Sequence, residues 1–80
     1  MSYFPDLAQA LASLIRDGYN LTFIKKDAYI HCPERQMNFL PHELFIDEVY
    51  RFENKFAPQE NTVVYIIEEK NYGLKGILRN

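Results

Sequence analysis

From the Phe4 position onward, apolar residues recur at Leu7, Ala8, Leu11, Leu14 and Ile15, the spacing of a helix with one buried stripe. The pattern predicts a helix over residues 7–17. Pro5 and an Asp6/Gln9 capping pair mark its start, and Gly18 marks its stop. After Gly18 the period falls to two. Leu21 and Phe23 alternate with Thr22 and Ile24, and Ala28, Ile30 and Cys32 alternate with Tyr29 and His31. Two strands joined by a tight turn at Lys25-Lys26-Asp27 follow from this alternation. Pro33 removes a ladder donor, residues 34–36 form a polar loop, and Met37 and Phe39 make a short third strand that Pro41 ends.

The stretch over residues 44–53 fits two periods. Phe45, Val49 and Phe52 suit a helix that Pro41 would open, whereas Leu44 and Ile46, then Glu48, Tyr50 and Phe52, alternate. The β-branched and aromatic content decides for a strand, with an irregularity at Asp47-Glu48 where the alternation slips. Residues 54–61 form a loop containing Pro58. Residues 62–69, apolar on both faces, read as a central strand, residues 70–73 as a turn, and residues 74–78 as the last strand. The fold class expected is α+β: one N-terminal helix packed on an antiparallel sheet of about five or six short strands, within a single domain spanning residues 1–80.

If Glu53 faces Thr62 and Glu69 faces Tyr72, then Tyr50, Phe52, Val63, Tyr65, Ile67, Leu74, Gly76 and Leu78 share one face. Tyr65 then lies over the bare Gly76, and the helix docks there. The reverse face carries Asp47, Val49, Arg51, Val64, Ile66, Glu68, Lys75 and Ile77. One helix cannot cover both, so the second face is closed by the early hairpin or left to a partner.

Composition narrows the function classes. Eighty residues with 48% hydrophobic and 25% charged content are enough for one globular core, and too few for two. A net charge of −2 with nine scattered Lys and Arg offers no basic patch, which excludes nucleic acid as the expected partner. No apolar run reaches the ~20 residues of a bilayer span. The beginning of the chain lacks a charged-then-apolar leader pattern, so a cytoplasmic location without membrane association is expected. The single Cys32 cannot form an internal disulfide and is expected to be a structural residue in the core.

Segments Ile46-Asp47-Glu48-Val49-Tyr50-Arg51-Phe52-Glu53, Pro58, Val63-Val64-Tyr65-Ile66-Ile67 and Tyr72-Gly73-Leu74-Lys75-Gly76-Ile77-Leu78 resemble a group of small bacterial proteins often labelled phosphoribosylpyrophosphate synthetase. The opening helix with Gly18-Tyr19 is also similar, so the resemblance covers most of the chain. That label implies ATP, a divalent metal and ribose 5-phosphate. The residues themselves do not supply the parts: three glycines stand outside any phosphate-cradling run, and no strand-loop-helix unit offers a helix N-terminus to a phosphate. This chain has Asn54 and Gln59-Glu60 where the group has glycine and acidic residues. The group also continues past the position of Leu78 with a Tyr-Gly segment, whereas this chain ends at Asn80.

Asp47, Glu48, Arg51 and Glu53 form the densest polar cluster. Its functional reading is an arginine oriented by carboxylates to hold an anion, with Glu68 as a cross-strand neighbour; its structural reading is a charge network that sets strand register. Lys75, in Gly-Leu-Lys-Gly, is the second candidate ligand-binding residue, because flanking glycine permits close approach. His31, Cys32, His42 and Glu43 lack metal-site spacing, and adjacent strand residues point to opposite faces. No metal or cofactor and no catalytic residue is expected. A non-enzymatic binding or protein-interaction module, self-associating or with a protein partner, is the expected function; the alternative is an enzyme of phosphate or nucleotide ligands.

Overall fold

The computed structural model describes residues 7–53, 56–57 and 61–79. Helix α1 (Leu7–Arg16) is followed by β1 (Leu21–Lys25), β2 (Ile30–Cys32), β3 (Met37–Phe39), a 3-10 turn (Pro41–Glu43), β4 (Leu44–Phe52), β5 (Thr62–Glu69) and β6 (Leu74–Arg79). The α+β class is as expected: one helix against a six-stranded sheet of order β3-β2-β1-β6-β5-β4. Two antiparallel meanders, β1-β2-β3 and β4-β5-β6, meet edge to edge where β1 runs parallel to β6. That one parallel pair departs from the wholly antiparallel sheet expected, because alternation within strands says nothing about which meander edges join. The helix is too short to cross a membrane, and no other helix among the described residues does so.

Gly18 ends α1 at φ +102°, a conformation that glycine adopts without the Cβ penalty. The Tyr19 amide donates to the Leu14 carbonyl at 3.0 Å and the Gly18 amide to Ile15 at 3.1 Å, the paired bonds of a Schellman cap. Tyr19 then packs back on the Leu14 cluster, as that motif favours. The Asp6 cap and Pro5 lie outside the described residues.

Leu14 of the helix packs on Val64, Ile66 and Ile77, with Leu7, Leu11, Tyr19, Tyr50 and Phe52 around them. The helix thus covers the face opposite to the one expected. Phe52, not Glu53, stands opposite Thr62, which moves Tyr50 and Phe52 onto the Val64 and Ile66 side. Both faces of β5 are apolar, so its pattern could not choose between them. At the other end of β4 the register slips between Ile46 and Glu48, so Asp47 is the bulged residue, at the irregularity the sequence marks. On β6 the pairing is shifted by two from expectation, Glu69 facing Leu74, which preserves the faces.

The first meander covers part of the far face and leaves Ile46 and Val49 of β4 exposed on it. Phe23, Cys32 and Phe39 from the first meander pack on Ile67, Leu74 and Leu78 from the second. The rings of Phe23 and Phe39 meet edge to face with centroids 6.1 Å apart. Phe23, rather than Tyr65, fills the space over Gly76. A Cβ there would lie 2.5 Å from both the Leu21 carbonyl oxygen and the Phe23 ring, so only glycine lets β1 close on β6. Tyr65 stands opposite Leu78 instead.

Candidate functional site

The bulge and the helix cap build one polar cluster together. Asp47, displaced from the ladder, receives the Tyr19 hydroxyl at Oδ2 across 3.2 Å. Lys75 places its Nζ 5.4 Å from the Tyr19 ring centroid, within cation–π range, and its backbone position faces Glu68. Burial first, then the charge and hydrogen bond of Asp47, and then Glu68 and Asp17, push the Tyr19 phenol above its ordinary pKa. The phenol is held as a neutral donor between a carboxylate and an ammonium.

Two of the candidate residues, Asp47 and Lys75, are therefore brought together by Tyr19, which the sequence marks only as the residue after the Gly18 stop. The Gly18-Tyr19 pair was the available signal, since the residue after a Schellman glycine is turned back onto the helix. The other two candidates do not join them in one cluster. Glu48 stands exposed opposite Ile66 on the helix side, whereas Arg51 stands exposed opposite Val63 on the far side. The bulge at Asp47, which breaks the alternation between Ile46 and Glu48, is what separates Arg51 from the Asp47 it was expected to share a face with.

A second polar cluster arises where the β1–β2 ladder ends at Pro33. Glu34 accepts the Thr22 amide at 3.0 Å and the Thr22 hydroxyl at 2.7 Å, and the Cys32 thiol lies 3.8 Å from Oε1. Burial acts to raise the Glu34 carboxyl, but the hydroxyl and amide bonds outweigh it and hold the group below the ordinary glutamate value. Cys32 is fully buried, and burial together with Glu34 pushes its thiol up, the opposite of nucleophile activation. His31 Nδ1 lies 2.7 Å from Asn38 Oδ1 across the β2–β3 pair, and His42 is exposed in the 3-10 turn. Glu43 Oε1 accepts the Leu40 amide at 2.8 Å and so fastens the start of that turn. Among the described residues, no three His, Cys, Asp or Glu converge to hold a metal ion.

The longest exposed feature is β4 itself. It is nine residues long and the outermost strand in the sheet order, laddered to β5 on its inner side. Ile46 is 59% exposed, Phe45 49% and Val49 44%, with Lys70 Nζ 4.8 Å from the Phe45 ring centroid. The opposite edge, β3, has only three residues. No known family model, curated protein or solved structure matches the chain.

Proposed function

We propose that the chain is a non-enzymatic protein-interaction module that pairs with a second copy of itself through β4, the outermost strand of the sheet. The observation that carries this reading is a nine-residue edge strand bearing three large half-exposed apolar side chains. An open edge presents unpaired amide and carbonyl groups that a further strand satisfies, and apolar side chains beside it add burial. A second copy suits this edge for two reasons. Antiparallel pairing of residues 48–52 with the same segment of a second copy sets Val49 beside Arg51 on one face, twice, whereas in-register parallel pairing would set Arg51 beside Arg51. The other sheet edge is too short to propagate an open chain, so β4-to-β4 pairing closes as a two-fold dimer. The Asp47 bulge confines the regular pairing to the segment after it.

The rival reading, a phosphate- or nucleotide-binding enzyme of the kind the sequence resemblance implies, has less support: Arg51 and Lys75 lie on opposite faces of the sheet and form no joint anion grip. Sedimentation equilibrium tests the proposal. The expected result is a concentration-dependent dimer that Val49→Lys converts to a folded monomer, because a lysine at an edge opposes strand addition. A strict monomer at millimolar concentration contradicts it, as does a dimer that ignores the substitution.

A further inference from the structure

A groove of about 330 Å³ runs between the C-terminal half of α1 and β1, on the helix side of the sheet and away from the edge of β4. Its walls are Leu11 and Ile15 from the helix and Ile24 and Ile77 from the sheet, and Arg79 stands with them. Two observations mark it as more than a packing seam. Ile15 and Ile24 remain 53% and 39% exposed on its two sides, so apolar surface that the helix could have covered is left open to water. Arg79, exposed and on the same face as Ile77, has no carboxylate partner among the described residues.

From this geometry we infer that the groove binds an amphipathic monocarboxylate, an aliphatic or aromatic acid of modest size. Its volume lies at the lower end of the range of small-molecule sites, about 300 to 1,000 Å³. The guanidinium fork matches a carboxylate in a bidentate pair, and one arginine balances one negative charge. The tail lies along Ile15, Ile24 and Ile77, where it removes their exposed surface from water. The head and tail requirements are separable, and so is their test. The inference does not rest on the pairing of β4.

The experiment is an amide chemical-shift titration of the full chain with octanoate, with octanol and with acetate. Octanoate is expected to move the amides of Ile15, Tyr19, Ile24 and Ile77 saturably, with octanol weaker by about tenfold or more, the usual effect of losing a charge-assisted hydrogen bond, and acetate without effect. Arg79→Gln is expected to reduce octanoate binding by about the same factor while leaving octanol binding unchanged. Ile15→Asp, at an exposed helical position, is expected to abolish octanoate binding by placing a like charge in the groove. Equal affinity for octanoate and octanol, unchanged octanoate binding in Arg79→Gln, or shifts confined to other residues overturns the inference.

Discussion

The hydroxyl of Tyr19 donates to Oδ2 of Asp47 across 3.2 Å, tying the residue that closes the helix cap to the bulge of the outer strand. This single bond links the only helix described to the element on which the proposed interaction depends. Tyr19→Phe is expected to lower stability by about 1 kcal/mol, the usual worth of one such bond, and to speed amide exchange at Glu48 and Val49 more than in the β5–β6 ladder. Urea unfolding and hydrogen exchange read the two effects.

The same phenol sets an alkaline limit. Its folded pKa is raised, so its contribution is fully present below the ordinary tyrosine value and is lost as pH rises from about 10 through the folded value. A thermal-melt series in that range is expected to fall more steeply for the wild-type chain than for Tyr19→Phe. Parallel curves would show that the phenol is not perturbed.

Glu34 sets the opposite limit. Its folded carboxyl is depressed by the two Thr22 bonds, so the stability it contributes is present above the ordinary glutamate value and is lost as pH falls from about 4.5 through the lower, folded one. Glu34→Gln should flatten this acid limb of the unfolding profile, and Thr22→Val should flatten it partly, since the amide donor remains.

Gly76→Ala is expected to cost about 2 kcal/mol or more, because the new methyl meets a backbone oxygen as well as the Phe23 ring and the backbone cannot turn aside. A urea midpoint lowered with the slope unchanged is the result expected. A substitution without cost would mean that β1 does not close on β6 in solution.

Cys32 should be unreactive in the folded chain. It is fully buried among Phe23, Phe39, Ile67 and Leu78, and its thiol is pushed up, so labelling by an aromatic disulfide reagent is expected to proceed only as fast as the core opens. Rapid labelling at neutral pH contradicts this placement.

The strands, the helix and the bulge were legible because each is written in local period: Leu7 to Ile15 in turns of a helix, Leu44 to Phe52 in alternation with a slip at Asp47. The choice of face was not. Val63, Tyr65 and Ile67 are as apolar as Val64 and Ile66, so β5 tolerates either side, and the one-residue difference between Glu53 and Phe52 opposite Thr62 decides it through a loop that carries no register signal. The parallel junction of β1 and β6 was likewise hidden. Its one local trace is Gly76, whose bareness suits any large neighbour, Tyr65 as readily as the Phe23 that lies over it. In the polar cluster, Asp47 and Lys75 are legible by residue type, but Tyr19, which joins them, lies beyond a helix cap. Arg51 is as legible by residue type and lies on the other face.

The pairing of β4 with a second copy is tested most directly by isotope-filtered NOE spectra on a mixture of labelled and unlabelled chains. The account predicts intermolecular contacts between residues 48–52 of one copy and the antiparallel segment of the other, with Val49 and Arg51 among them and none from α1. A dimer whose intermolecular contacts lie elsewhere, or a spectrum with no intermolecular contact at high concentration, would contradict it.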